Sequence, residues 1–279
     1  MSTAIFPHQQ IGDYTITAIS DGTLTASLAF LSNIDPADAF RLQDDAGVTE
    51  ASSIHINCYV VRGGGRTILI DGGAGGIKHW GGRLRTNLPL AGIDSRDIDT
   101  ILLTHAHPDH VGGLLDASGE AAFPKAELVV HRREVAFWRD DGNLSRASER
   151  ARGNFLIARR VFDGYRARLR TFDTGDVLPG VAAMPLPGHT GGHTGYRVDR
   201  GGQSLLIWGD IVHFPHIQIA RPDVSIAFDD DPCVAAATRS QILDMVSSEK
   251  LVVAGMHLDE RGFARIKRTN GGYAIHYAA

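Results

Sequence analysis

Cysteine is scarce in this chain of 279 residues, which contains Cys58 and Cys233 alone, whereas histidine occurs 13 times. Two cysteines allow at most one disulfide bond and cannot form a thiolate-rich zinc knuckle. A domain of this length buries enough apolar surface to fold without disulfide bonds. Such scarcity is also typical of a reducing compartment. We therefore expect a cytoplasmic protein with a single domain over residues 1–279.

Long apolar runs and dense basic runs are also missing. Stretches such as Ile68–Ile70 and Leu251–Met256 are too short to span a bilayer. Met1–Gln10 lacks the basic and then apolar pattern of a secretory signal. The formal net charge is −4, the pI is about 6.3 and no run is dense in Lys or Arg. We therefore expect neither a membrane nor a nucleic acid as partner.

Short β-branched runs alternate with helical patterns, and no Pro/Ser-rich linker divides the chain. This alternation predicts one α/β domain built from two halves, each a sheet with helices. The predicted strands are Ile54–Val61, Thr67–Ile70, Ile98–Leu103, Leu128–His131, Leu169–Phe172, Val181–Pro185, Gly195–Val198, Ser204–Trp208, Leu251–Ala254 and Tyr273–Tyr277. The predicted helices are Pro108 to Leu115, Glu134–Arg139, Ser145–Tyr165 and Pro232–Ser247. Thr67–Gly73 and Ser204–Asp210 resemble each other as strands that end in Asp and Gly.

The strongest local signal is the heptapeptide Thr104-His105-Ala106-His107-Pro108-Asp109-His110, which follows a buried strand-like run. Imidazole nitrogens and carboxylate oxygens are both good zinc ligands, and a loop after a strand can direct several of them to one point. Alternate positions of extended backbone place His105 and His107 on one side. Asp109 and His110 come after the turn and can face a second metal. A solvated polar loop is the alternative, but the clustering favours a metal site.

Three further segments place a metal-compatible residue just after a strand-like run. Glycine lies directly before His189 and Asp210, and two residues before His257. Glycine gives the backbone room to bring such a residue close to a metal. Each segment alone is typical of an ordinary loop. With the heptapeptide they form the ordered set His-x-His-x-Asp-His, then His, Asp and His.

This ordered set resembles the signature of the metallo-β-lactamase superfamily, and the resemblance covers most of the chain. It implies an αββα sandwich, in which two mixed β-sheets are flanked by helices. The metal ligands that it implies are His105, His107 and His189 for a first ion, Asp109, His110 and His257 for a second, and Asp210 as the bridge. Asp71 matches the family's aspartate that orients a ligand histidine; alternatively it is a turn residue after a strand.

Two adjacent divalent ions imply hydrolytic chemistry. A water shared by metals about 3.5–4 Å apart becomes a hydroxide nucleophile near neutral pH, while one metal polarises a carbonyl or phosphoryl oxygen. Asp109 is the candidate to hydrogen-bond this hydroxide and to shuttle a proton. The Gly-x-Ser-x-Gly motif of serine hydrolases is absent. We expect zinc, although manganese, cobalt and iron accept the same ligands.

Differences between this sequence and other branches of the superfamily narrow the choice of branch. Zinc β-lactamases carry cysteine at the position of Asp210, and flavodiiron proteins carry a glutamate in the first motif. Ile19–Gly22, Gly209–His213, Gln218–Pro222 and Phe228–Asp231 resemble the lactonase and organophosphate-hydrolase branch, particularly methyl parathion hydrolase-like enzymes. The expected substrates are small neutral esters, lactones or organophosphate triesters, and that branch often forms homodimers. The alternatives are a glyoxalase II-like thioesterase, another acyl hydrolase, or a non-hydrolytic iron protein on the same fold.

His213 stands where acyl-homoserine lactonases often carry a tyrosine, three residues after the bridging aspartate. It is a candidate catalytic residue that orients the substrate or donates a proton; the alternative is a packed histidine. The aromatic candidates for an apolar pocket wall, each alternatively a core residue, are Trp80, Trp138, Phe155 and Phe214. His193 is expected to be structural. The histidines assigned to packing or the surface are His55, His79, His131, His216 and His276.

Overall fold

The computed structural model describes residues 6–278, so residues 1–5 of the segment searched for a signal lie outside it. The strands are β1 (His8–Ile11), β2 (Tyr14–Thr25), β3 (Leu31–Ser32), β4 (Ser53–Gly63), β5 (Arg66–Ile70), β6 (Thr100–Leu102), β7 (Glu127–His131), β8 (Leu169–Phe172), β9 (Gly175–Leu178), β10 (Val181–Pro185), β11 (Thr194–Arg200), β12 (Gln203–Ile207), β13 (Ser225–Ile226), β14 (Val252–Ala254), β15 (Phe263–Thr269) and β16 (Gly272–Tyr277). The helices are α1 (Pro36–Asp45), α2 (Leu84–Leu90), α3 (Pro108–Val111), α4 (Arg132–Arg139), α5 (Asp141–Arg146), α6 (Glu149–Gly164), α7 (Pro215–Gln218) and α8 (Pro232–Ser248).

The first sheet has the strand order β1-β2-β4-β5-β6-β7-β8. Its strands up to β5 pair antiparallel, and those from β5 to β8 pair parallel. A glycine turn closes the β4–β5 hairpin, where Gly64 and Gly65 have φ angles of +57° and +76°. Positive φ at both central residues gives the turn a twist that matches its strands.

The second sheet has the order β16-β15-β14-β12-β11-β10-β9 and is antiparallel except for the β12–β14 pair. Each sheet therefore contains a hairpin whose second strand pairs in parallel with the next strand of that sheet. In the first sheet this unit is β4–β5 with β6, and in the second it is β11–β12 with β14. The likeness of Thr67–Gly73 to Ser204–Asp210 thus reflects equivalent places in the two sheets.

Three apolar layers hold the sandwich together. Side chains alternate across a strand, so Ile68 and Ile70 face the second sheet while Leu69 packs in the layer with α6. In the second sheet, Leu206 packs in the layer with α8. The two mixed sheets flanked by helices confirm the predicted fold class. None of the described helices has the length and apolar character needed to cross a membrane.

The elements of the two halves match the sequence predictions unevenly. The strands at Leu169–Phe172 and Val181–Pro185 have the predicted bounds, and α8 ends one residue later than predicted. The single long helix predicted over Ser145–Tyr165 is wrong, because Ala147 is extended and separates α5 from α6. The side chain of Ser148 then accepts a hydrogen bond from the Ala151 N–H. This capping bond favours a new helix start over a continuous helix.

Candidate metal centre

Four loops at the ends of strands carry the predicted site residues. The loop after β6 carries His105 and His107, and α3 begins directly after it with Pro108. From the second sheet, the loops after β10 and β14 contribute His189 and His257, and the loop after β12 contributes Asp210 and His213. Gly209, at a φ of +58°, precedes Asp210. A Cβ there would lie 2.3 Å from His193 Nε2, so only glycine fits this close approach.

The first cluster consists of His105, His107 and His189. His107 Nδ1 lies 3.0 Å from His105 Nε2 and 3.0 Å from His189 Nε2, and these two Nε2 atoms are 3.1 Å apart. Three ligands of a tetrahedral zinc ion with bonds of about 2.0–2.1 Å are spaced similarly. A proton can bridge only one pair of these nitrogens, whereas a cation at their centre is held by all three. The triangle therefore suits a metal better than a hydrogen-bond network.

The second cluster consists of Asp109, His110, Asp210 and His257. Asp210 Oδ2 lies 3.2 Å from both His110 Nε2 and His257 Nε2. The same oxygen lies 3.3 Å from His189 Nε2 and 3.7 Å from His105 Nε2 of the first cluster. Asp210 is thus the carboxylate that contacts both clusters, which is the position that the predicted bridging role requires.

Hydrogen bonds on the far side of three of the imidazoles orient these rings. The Nδ1 atoms of His110 and His189 lie 2.7 Å from Asp71 Oδ2 and 2.9 Å from Asp229 Oδ1, and these carboxylates accept their N–H groups. His257 Nδ1 donates to a backbone carbonyl, that of His55, over 2.8 Å. Because Nδ1 carries a hydrogen in each of the three rings, Nε2 is the nitrogen left to bind a metal, and it points into the site, as in metal-binding histidines.

Burial and charge set the protonation of the metal-free site. Burial disfavours imidazolium and lowers the pKa of His107 to about 3, so that ring is neutral and able to bind a metal. Burial also opposes charge on His189, but its hydrogen bonds to Asp210 and Asp229 outweigh burial and raise its pKa to about 10. A metal must displace this proton, so metal affinity falls in acid.

The residues present fit a metal pair by an independent criterion. Asp210 Oδ1 is buried and has no hydrogen-bond partner among the described residues, and His110 Nε2 is buried 3.2 Å from Asp210 Oδ2 without a well-formed hydrogen bond to it. Buried polar atoms are normally paired, and a site for a bound ion is one of the standard reasons for an exception. Nitrogen and carboxylate ligands without thiolates suit zinc, manganese, cobalt or iron. The donor set thus matches two divalent ions without selecting one metal.

The structure brings all seven predicted ligands together and places His213 beside them. His213 Nε2 lies 3.3 Å from Asp210 Oδ2, and with His189 and Asp210 it forms a third, overlapping group of metal-compatible side chains. His193 lies beneath the site and accepts the Asp210 N–H at Nε2 over 2.9 Å, which fits its expected structural role. The other histidines assigned to packing or the surface belong to none of these groups within residues 6–278.

A cavity of about 680 Å³ opens over both clusters. The aromatic residues that line it are Phe30, Trp80, Phe137, Trp138, Phe155 and Phe228. Three of the four aromatic candidates are therefore wall residues. Phe214 is not among the lining residues; it is buried in an apolar cluster with Ile217 and Val224. Phe214 directly precedes α7, whose packing draws its ring into the core.

Sequence reasoning missed the residues that hold the ligands in place. Asp229 was noted only as part of Phe228–Asp231, although it is the partner of His189 Nδ1. Arg239, a buried residue of α8, lies 3.7 Å from Asp229 and donates to the Ile211 carbonyl. Glu134 of α4 gave no signal at all. A short acidic run after the third ligand segment was the one available clue, and it did not distinguish its three aspartates.

Comparison with known proteins gives the family of this chain. The family model of the metallo-beta-lactamase superfamily matches residues 54–257. A hydrolase named AbOPH, described as in the beta-lactamase superfamily, superposes with a TM-score of 0.92 at 30 % identity over 98 % of this chain and 97 % of its own. AidC, a dizinc quorum-quenching lactonase solved in complex with a product, gives a TM-score of 0.91 at 25 % identity and the same coverage.

Curated relatives match over a shorter stretch. A probable metallo-hydrolase of Mycobacterium tuberculosis is 27 % identical over 159 residues, which is 55 % of this chain and 49 % of the relative. The uncharacterized protein YobT of Bacillus subtilis is 29 % identical over 155 residues, 56 % of this chain and 61 % of its own. The match thus spans about half the length of the mycobacterial relative. Because the family model spans most of the chain and all seven predicted ligands, the chain belongs to the metallo-β-lactamase superfamily.

Proposed function

We propose that this protein is a dinuclear metal-dependent hydrolase of small neutral esters, lactones or organophosphate triesters. The observation that supports it is the contact of one carboxylate, Asp210, with both clusters at 3.2–3.7 Å. His105, His107 and His189 would hold one ion. Asp109, His110 and His257 would hold the other, with Asp210 shared. When bound, such a pair supplies an activated water and a Lewis acid for the substrate oxygen.

Asp109 is the residue we assign to proton transfer. Its side chain is 13 % exposed and lines the cavity, whereas Asp210 is buried. Asp109 Oδ2 lies 3.6 Å from both His110 Nε2 and His257 Nε2. Positive charge on these rings outweighs burial and holds the pKa of Asp109 below its usual range. The carboxylate is therefore ready to accept a hydrogen bond from the attacking water and to pass its proton to the leaving group.

His213 is assigned to substrate positioning. It lines the cavity, and its ring lies between the two clusters, 4.8 Å from the His189 ring and 5.1 Å from the His257 ring by centroid. Burial lowers the pKa of His213 to about 4, more than its contact with Asp210 raises it. A neutral imidazole in this place can donate one hydrogen bond to a substrate oxygen.

The cavity wall supports a neutral, partly apolar substrate. Aromatic side chains bind apolar groups well and leave the few polar groups to fix orientation. Trp80 and Phe137 are only half-buried, so part of their surface is available to a ligand. The cavity volume suits a small molecule. The similarity to a hydrolase and to a dizinc lactonase supports the same substrate range.

Metal analysis and a substrate panel test this proposal. Protein reconstituted with zinc, manganese or cobalt is assayed on lactones, aryl esters, phosphotriesters and thioesters. We expect two ions per chain and turnover of at least one of the first three classes, lost on chelation and regained on metal addition. One redox-active iron per chain without hydrolysis would overturn the proposal. Turnover of thioesters alone would replace its substrate class.

A further inference from the structure

Glu134 is a buried carboxylate whose two oxygens accept four hydrogen bonds. It lies in the first turn of α4 and is 1 % exposed. Within residues 6–278 no lysine, arginine or histidine forms an ion pair with it. Burying an ionised carboxylate is costly unless its oxygens accept several hydrogen bonds. The donors around Glu134 therefore need to be in fixed positions.

Two donors face each oxygen. Oε2 accepts the Ala106 N–H over 3.0 Å and the Trp138 indole N–H over 2.9 Å. Oε1 accepts the Thr190 hydroxyl over 2.5 Å and the Gly192 N–H over 3.1 Å. Ala106 belongs to the loop after β6 of the first sheet, and Thr190 and Gly192 to the loop after β10 of the second sheet. One carboxylate thus ties together loops from both sheets.

The donors are distributed unequally between the two clusters. Ala106 stands between His105 and His107, and Thr190 directly follows His189. Every member of the first cluster is therefore next to a donor to Glu134, whereas no member of the second cluster is. The loop around the third ligand is also shaped for this contact, because a Cβ on Gly192 would lie 2.9 Å from Glu134 Oε1.

We propose that Glu134 is a positioning residue that sets the spacing of the first cluster and thereby the affinity of that metal position in particular. The proposal rests on the proposed function only in requiring that both clusters bind metal. It assigns no contact between Glu134 and either ion. Residues that orient metal ligands typically change metal affinity by about 10- to 100-fold when replaced, and here the change should be confined to one position.

Glutamine is the informative replacement because it keeps the size of the side chain. An ionised carboxylate only accepts hydrogen bonds, whereas an amide has one accepting oxygen and one donating nitrogen. In Glu134→Gln the new NH₂ group faces two N–H or O–H donors, so one of the two loops must shift. Glu127→Gln is the matched control, since Glu127 starts β7 and pairs with Arg170 near the surface.

The test is calorimetric titration of metal-free protein with Co²⁺ in two backgrounds. His257→Ala leaves the first cluster complete, and His189→Ala leaves the second. We expect Glu134→Gln to weaken Co²⁺ binding about 10- to 100-fold in the His257→Ala background. In the His189→Ala background the change should stay within about 2-fold. Glu127→Gln should change neither.

An equal loss in both backgrounds, or no loss in either, would overturn the proposal. Circular dichroism checks that each variant is folded. If Glu134→Gln fails to fold, Thr190→Val removes one donor while keeping the shape, and the same selective loss in smaller size is expected. Wild-type protein that binds no Co²⁺ would instead overturn the proposed function. If the wild-type protein binds two ions but Glu134→Gln weakens Co²⁺ binding equally in both backgrounds, this inference alone would be overturned.

Discussion

The two clusters of the metal centre are built from different chemistry. The first contains imidazoles alone, and the loops that carry them are fastened by Glu134 and Asp229. The second combines imidazoles with carboxylates, and Asp71 and a backbone carbonyl orient its rings. A cation in the second cluster faces the Asp109 carboxylate as well as the shared Asp210, whereas one in the first shares Asp210 and otherwise depends on the spacing of three imidazoles. The two positions should therefore respond differently to the same kind of substitution.

Replacing the residue shared by both clusters should have the largest effect. Asp210→Ala removes the oxygen that contacts rings of each cluster, so we expect loss of both ions and a fall in kcat/KM of about 10³-fold or more. Metal content by atomic spectroscopy and hydrolysis of the best substrate check this together. A variant that keeps two ions per chain would contradict the bridging role.

His213 contacts both clusters, and its replacement shows whether it belongs to either. For His213→Ala we expect kcat to fall about 10²-fold with both ions retained, because one hydrogen bond to the substrate oxygen is lost. Steady-state kinetics and metal content on the same sample check this. Unchanged kinetics would leave a packing role only, and loss of an ion would make His213 a ligand.

Replacing the carboxylates that orient the ligand histidines tests the two clusters separately. Asp229→Asn and Asp71→Asn keep the side-chain size. Each native carboxylate accepts the histidine N–H at one oxygen and a backbone N–H at the other, so the amide NH₂ of asparagine must face one of these donors. We expect each to lower metal affinity about 10- to 100-fold, Asp229→Asn at the first cluster and Asp71→Asn at the second. Co²⁺ titration in the His257→Ala and His189→Ala backgrounds checks the assignment. The same pattern for both variants would mean that the clusters are not independent.

Replacing a residue of the cavity wall should have the smallest effect, and it should leave metal binding at both clusters unchanged. Trp80→Ala removes apolar contact area without touching a metal-compatible residue. We expect KM for a substrate with a long apolar arm to rise about 10-fold, while kcat and metal content stay unchanged, because the lost contact stabilises ground and transition states alike. Substrates with short arms serve as the comparison, and an equal rise for both would place Trp80 outside the binding surface.

The fold class and the candidate ligands could be predicted from the sequence because both depend on patterns within short segments. The apolar runs of the central strands and the glycine before Asp210 are visible without any tertiary information. β2 escaped prediction because its ladder with β4 shifts register between Ser20 and Gly22, which breaks the alternation expected of a strand. The sequence left Phe214 as either a cavity-wall residue or a core residue, because a ring beside the site can point into the cavity or into the core.

The positioning residues could not be read from local pattern. Glu134 is 28 positions from the Ala106 donor and 58 from the Gly192 donor, and its isolated context is that of an ordinary acidic residue in the first turn of a helix. Asp229 stands 40 positions from the ring that it orients. Such roles arise only when loops of different sheets meet, which is a property of the packed chain.

The placement of both clusters across the two sheets has a thermodynamic consequence. Bound ions would join loops of the first sheet to loops of the second, and so link distant parts of a chain whose two cysteines are both free. At a free metal concentration 100 times Kd, each ion that binds only the folded chain adds about 2.7 kcal/mol to the free energy of unfolding. Metal supply would then set the melting temperature and the resistance to proteolysis of this protein, quite apart from its turnover.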